Sequence, residues 1–207
     1  MDVNFIITCF DREDYWPYLK DILDGYTVVK PHIAFCYNGT KNLSADFKCK
    51  NRGKLPGDAD LIIGGYNVLK NNGVKNWLKL SVDSWILNED SIVDIFDKME
   101  KRDCCYGGCE WDDADHFSTD IMFVRENSFG LMQKFCAIAP TWIQHDNIEG
   151  LAADLAKRQG FYYMIPQRDR NSGESWGRHE VPELGWTMQH SLEKNVEFFR
   201  NYMKDSQ

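Results

Sequence analysis

The sequence predicts an α/β domain with a central, mainly parallel sheet flanked by helices. Several short apolar runs lack polar alternation, as strands covered on both faces do. Segments with helical spacing separate many of them, and such alternation favours parallel pairing through covered crossovers. The 207 residues suffice for one well-buried core, and no repeat, low-complexity tract or linker divides them, so a single domain over 1–207 is expected.

Val3 to Phe10 is an apolar run that stops at the polar cluster Asp11 to Asp14, and it predicts the first strand. Trp16 to Leu23 follows as a helix: Leu19, Ile22 and Leu23 share a face, Pro17 suits a first turn, and Gly25 stands just past the end. His32 to Tyr37, closed by Asn38-Gly39, predicts a second strand, and Asp60 to Ile63, closed by Gly64-Gly65, a third. Trp77 to Val82 gives a fourth. Asp90 is placed to cap a helix from Ser91 to about Lys101 that buries Ile92, Ile95, Phe96 and Met99. Beyond it, His116 to Arg125 predicts a strand, Phe129 to Ala137 and Leu151 to Gln159 two helices, and Phe161 to Ile165 a last short strand. After an irregular polar stretch, Ser191 is placed to cap a terminal helix carrying Leu192, Val196, Phe199 and Met203.

A formal net charge of −8 opposes a nucleic-acid backbone, which demands a basic footprint, so nucleic acid is not an expected partner. A small diphosphate differs, because one local cation neutralises it inside an acidic protein. A metal ion is the expected means. No segment has the roughly 18 uninterrupted apolar residues of a membrane helix, and Met1 to Asn4 lacks the basic start of a signal peptide. Seven cysteines, an odd number on a chain too large to need staples, are expected to be structural thiols in a reducing, cytoplasmic setting. Cys104, Cys105, Cys109 and His116 lack the paired spacing of a zinc knuckle.

Ligands of an open parallel sheet collect beyond the carboxyl ends of its strands, which directs attention to Thr8 to Asp11, Gly64 to Asn67 and Asp83 to Trp85. In the fourth run, alternation puts Lys79, Ser81 and Asp83 on one face and Leu78, Leu80 and Val82 on the other. At roughly 3.3 Å per residue Lys79 and Asp83 stand about 13 Å apart, so they are not a simple ion pair. Asp83 needs another partner.

The stretch Lys79-Leu80-Ser81-Val82-Asp83-Ser84-Trp85 resembles the strand end of GT-A glycosyltransferases, where Asp-X-Asp, or a shortened version of it, holds Mn2+ or Mg2+ against a donor diphosphate. Ser81 stands at the first acidic position and Asp83 at the second. The opening run is similar to the family's first strand, whose end contacts the base, and Asn51-Arg52-Gly53 with Asp60 to Gly65 is similar to the loop and strand that line the nucleotide. The resemblance therefore implies donor contacts from Thr8, Phe10, Asn51, Gly53, Lys79 and Asp83, and metal ligation by Asp83. Gly185 to His190 resembles the late segment in which a histidine adds a metal ligand, which implies His190. On the acceptor side, His145 to Glu149 before Leu151 to Leu155 resembles the region of the catalytic base and makes Glu149 and Asp146 candidates; their spacing is also that of a capping box. Asp120, after Thr119, is a further candidate near the sugar. The nucleotide-binding part would cover about 1–103 and the acceptor side about 104–207.

The implied activity is sugar transfer from a UDP-sugar, the commonest donor in the group, to a glycan or small hydroxyl acceptor. The short chain resembles compact bacterial and large-virus members, including algal-virus enzymes that decorate capsid glycans. Gln167 to Glu180, with Arg168, Arg170 and Arg178, is a candidate lid over the diphosphate or a solvated loop. Trp111, Trp142, Tyr162 and Tyr163 are candidate sugar-stacking surfaces or core. No Gly-X-Gly-X-X-Gly follows the first run, which ranks other Rossmann-type nucleotide enzymes lower. Ser81 in an acid's place keeps a non-catalytic interaction module as the alternative.

Overall fold

Strand β1 (Asp2–Cys9) is buried from Val3 to its end because it lies between β2 (Lys30–Tyr37) and β4 (Asn76–Ser81), parallel to both. Its side chains divide by parity: Phe5, Ile7 and Cys9 enter one hydrophobic core and Ile6 the other. The uniformly apolar run in the sequence is the mark of that two-sided burial. A computed structural model supplies these coordinates and describes residues 1–110, 117–160, 162–164, 179–181, 184–188 and 191–205. Trp111, His116, Arg168, Arg170, Trp176, Arg178 and His190 lie outside them.

The sheet also holds β3 (Phe47–Lys48), β6 (Tyr106–Glu110), β7 (Phe117–Arg125) and β8 (Tyr163–Met164), in the order β3-β2-β1-β4-β7-β6-β8. Its pairs are parallel except those of β7, which runs against β4 and β6. Helices α1 (Trp16–Asp24) and α3 (Glu89–Lys101) cover one face through Leu19, Leu23, Ile92, Ile95, Phe96 and Met99. On the other face lie α2 (Lys54–Leu69), α4 (Leu131–Trp142) and α5 (Ile148–Gln159). A second, antiparallel sheet joins β5 (Ser84–Ile86), β10 (Trp186–Met188) and β9 (His179–Val181). Helix α6 (Leu192–Asp205) packs Leu192, Val196 and Phe199 against the first core. Among the described residues no helix is long and apolar enough to cross a membrane.

The mainly parallel α/β expectation holds, with three local corrections. Asp60 to Ile63 is not a strand: it lies inside α2, and Gly64-Gly65 is not a turn. A Cβ at Gly64 would fall 2.1 Å from the Phe47 ring and one at Gly65 2.5 Å from Ile6, so the two glycines let the helix approach the sheet. Asp90 is not the cap of α3, because Asn88 is extended and its side chain accepts from the Asp90 amide at 3.1 Å. Asp146 is likewise displaced as a cap by Asn147, which accepts from the Gly150 amide at 2.8 Å and starts α5 at Ile148. Ser191, in contrast, does accept from the Lys194 amide at the start of α6. The six described cysteines are free thiols, and burial pushes those of Cys9, Cys105 and Cys136 up to about 12. The side chain of Cys109 is outside the described set.

Glu89 ties the first half together. Its carboxylate accepts from the amides of Thr27, Val28 and Val29 and from the Thr27 hydroxyl, all at 2.8–3.0 Å, which fixes the loop between α1 and β2 against α3. Burial works to raise this carboxyl, but the amide and hydroxyl donors outweigh it and hold it below its ordinary value. A depressed carboxyl contributes stability above its unfolded-state value that is lost as pH falls through the folded one. Glu89→Gln is therefore expected to cost about 1–2 kcal/mol at pH 7, discounted for the open side of the site. Thermal melts at stepped pH check this: the gap between the two proteins should narrow below about pH 4.

Candidate functional site

Strand order reverses at β1, which has β2 on one side and β4 on the other, and this opens a crevice beyond the carboxyl ends of the parallel strands. The antiparallel β7 begins at that same end, so Ser118, Thr119 and Asp120 join the residues that close β1 and β4.

Within β4, Leu78 and Leu80 face the first core and Trp77 the second, so alternation aims Lys79 and Ser81 toward the α2 side. The Lys79 side chain is wholly buried, and its ammonium meets Asp58 of α2 at 3.2 Å and the Ser81 hydroxyl oxygen at 3.0 Å. An ammonium only donates and an ionised carboxylate only accepts. Ser81 Oγ must then accept from Lys79 and donate onward, and Asp120 takes that proton at 2.8 Å. Thr119 Oγ1 completes the cluster with a 3.2 Å bond to the same Asp58 oxygen. As the spacing required, Lys79 and Asp83 have different partners.

Asp83 follows β4 in the turn to β5 and is 6% exposed. The turn is held on both sides. The Val82 amide donates to the Thr8 carbonyl at 2.9 Å, and Asn195 of α6 donates from Nδ2 to the Asp83 carbonyl at 3.1 Å. The other amide atom of Asn195 accepts from Thr187 Oγ1 at 3.0 Å, so the second sheet and the terminal helix set the backbone of Asp83. Its carboxylate pairs with Arg12, the residue after Asp11, whose left-handed φ of 52° bends the chain as it leaves β1. Burial pushes the Asp83 carboxyl up to about 6; Arg12 opposes this rise and the charge of Asp120 adds to it.

Near the end of β1, Thr8 lies level with Ser81 and Cys36, and Phe10 and Asn38 both stand beside Gly57. Asn38 is 1% exposed, and both ends of its amide lack a partner among the described residues. A Cβ at Gly57 would lie 2.6 Å from Asn38 Nδ2, so glycine there leaves room for the amide. Asn51 accepts from the Gly53 amide at 2.8 Å and shapes the entry to α2, with Gly53 at φ 93°. Asp146 and Glu149 flank the start of α5, where the exposed Asp146 accepts from the Asn147 amide at 2.7 Å and Glu149 stands in the first turn. Arg12, Asp58, Asn38 and Asn195 were not singled out from sequence. Arg12 had a weak signal, the polar cluster after the first run; Asn195 had none.

The residues present fit a hard divalent cation, which takes oxygen ligands and completes its shell with one or two protein carboxylates plus substrate phosphates. Asp83 just past β4 and Asp120, bonded to Ser81 at the end of β4, offer two carboxylates. Among the described residues there is no group of three His, Cys, Asp or Glu that could hold a metal by itself.

Carboxyl-detected NMR titration should show Asp83 rising above about 6 in Arg12→Gln and falling in Asp120→Asn, because the first loses an opposite charge and the second a like one. The folded protein holds the Asp83 proton more tightly than the unfolded chain does, so this group lowers stability as pH rises from about 4 to 6.

No protein-family model matches the sequence, and no curated protein matches it significantly. Solved structures do. A mannosyltransferase from Pyrobaculum calidifontis, determined in complex with GDP-Man and Mn2+, is 8% identical over 79% of this chain and 54% of that one, with a TM-score of 0.52. A glycosyltransferase involved in the glycosylation of the major capsid of PBCV-1 is 11% identical over 80% of this chain and 82% of that one, at 0.49. A putative nucleotide-diphospho-sugar transferase from Desulfovibrio desulfuricans G20 is 11% identical over 97% of each chain, at 0.47. The identities are too low to carry activity across, and the likeness to the mannosyltransferase is one of fold. The chain has the GT-A-type glycosyltransferase fold.

Proposed function

We propose that this chain transfers a sugar from a nucleoside-diphosphate sugar, with UDP-sugars the first choice, to a hydroxyl of a glycan or small acceptor, using Mn2+ or Mg2+ at Asp83. The observation that carries the reading is the charge at the strand ends. Among the described residues at the strand ends, the carboxylates of Asp58, Asp83 and Asp120 outnumber the cations Lys79 and Arg12 by three to two. Such a site repels a diphosphate. A divalent cation reverses that sign, as the Mn2+ found with GDP-Man in the mannosyltransferase would do here.

In this reading Asp83 turns from Arg12 to the cation, and Arg12, 45% exposed on its side chain, is able to move with the arriving phosphate. The bound cation supplies charge stabilisation for the leaving diphosphate. Asn38, with an unused donor and acceptor beside Phe10, suits the hydrogen-bonding edge of a base, and uracil offers both complementary groups. Thr8 near the end of β1, with Asn51 and Gly53 at the entry to α2, is proposed to supply further donor contacts. Transfer forms a bond between the acceptor oxygen and the anomeric carbon, breaks the bond from that carbon to phosphate oxygen, and releases the acceptor proton to a carboxylate. Glu149, in the first turn of α5, or Asp146 beside it, is proposed as that base. His190 follows β10, whose last residue pairs with Ser84, and is proposed as a further ligand.

Calorimetric titration of UDP and UDP-sugars, with Mn2+ and with excess chelator, tests the reading. Mn2+ should tighten nucleotide binding, and the gain should fade as pH falls through about 6, where Asp83 takes up its proton. Asp83→Asn should fold and lose about 100-fold or more in kcat/KM. Equal nucleotide affinity in chelator would remove the cation bridge, and Mn2+-dependent binding without turnover of any donor would favour the interaction-module alternative.

A further inference from the structure

The cluster around Lys79 carries one more inference, which rests on the proposed cation site: we propose that Asp120 is the second carboxylate ligand of that cation, supplied by β7 to serve the place that Ser81 leaves without an acid on β4. Two observations support it.

The first is register. Leu80 of β4 pairs with Ile121 of β7 in an antiparallel ladder, and one step further along that ladder Ser81 faces Asp120. A carboxylate on either strand at this level reaches the same region beyond β4, two residues before Asp83.

The second is hydrogen-bond polarity. Lys79 has only protons to give, so Ser81 Oγ accepts from it and points its own proton at Asp120 Oδ1. An aspartate at 81 would bring its carboxylate directly against Asp120, two like charges at one level of the sheet. Serine instead orients the carboxylate across the strand. A hard dication takes carboxylate oxygens as ligands, and Asp120 presents one at the level of Ser81.

Lys79 limits how far this can go. It is wholly buried and bonded to Asp58, so Asp58 is the inner carboxylate, and Asp83 and Asp120 are the two offered to the cation.

The test uses Mn2+ alone, with the full chain and no nucleotide, so that binding is read without turnover. Mn2+ affinity would be measured by calorimetry and by the loss of the free-ion paramagnetic resonance signal. The proteins are wild type, Asp120→Asn, Ser81→Asp and the double variant Ser81→Asp with Asp120→Asn, each shown to be folded by its melting curve. Asp120→Asn should weaken Mn2+ binding at least about tenfold, a loss no smaller than that for removing a group which only supports a ligand. The double variant should regain most of that loss, because the acid returns on the neighbouring strand at the same level. A folded Asp120→Asn protein with wild-type affinity would overturn the proposal. So would a loss that Ser81→Asp does not restore, which would leave Asp120 as a structural partner of Ser81. Wild-type protein that takes up no Mn2+ at all would overturn the cation reading itself and this proposal with it.

Discussion

A lysine ammonium enclosed in the sheet is the constraint around which this end of the molecule is arranged. Lys79 sits in β4 with its side chain out of solvent, and a buried ammonium is tolerable only if oxygen atoms meet it. Asp58 does so from α2 and Ser81 from the same strand, and through Ser81 the demand extends to Asp120 on β7. The helix, the parallel strand and the antiparallel strand are thereby fixed relative to one another at the place where the topology opens a crevice. Gly64 and Gly65 serve the same end, because they let α2 lie close enough on β1 and β2 for Asp58 to reach its partner.

Asp83 is held by other means. Its backbone is set by Asn195 and Thr187, and its position after β4 is set by the pairing of β5 with β10. Main sheet, second sheet and terminal helix therefore meet at one residue. The side chain is less fixed than the backbone: it is paired with a half-exposed arginine and buried enough to keep its proton up to about pH 6.

The parts readable from sequence were those whose signal is local. The run Val3 to Phe10 reports two-sided burial by its composition, and the rise per residue of an extended strand ruled out a simple Lys79–Asp83 ion pair before any contact was known. Asp60 to Ile63 was misread because the short apolar run Leu61 to Ile63 followed by two glycines is equally a strand with its turn or a helix pressed on a sheet. Only Phe47 and Ile6, distant in sequence, decide between them. The pairing of Arg12 with Asp83 spans 71 positions and that of Asn195 with Asp83 spans 112, and neither leaves a periodic trace. Asp120 was noticed as a carboxylate in a strand, but its place opposite Ser81 depends on the register of β7.

The decisive measurement is an anomalous-difference map from crystals of the full chain grown with Mn2+ and UDP. A peak at bonding distance from Asp83, bridged to the diphosphate beyond the carboxyl ends of β1 and β4, is the predicted result. Nucleotide bound in that crevice with Arg12 still on Asp83 and no metal peak beside it, or metal and nucleotide at another face of the molecule, would contradict it.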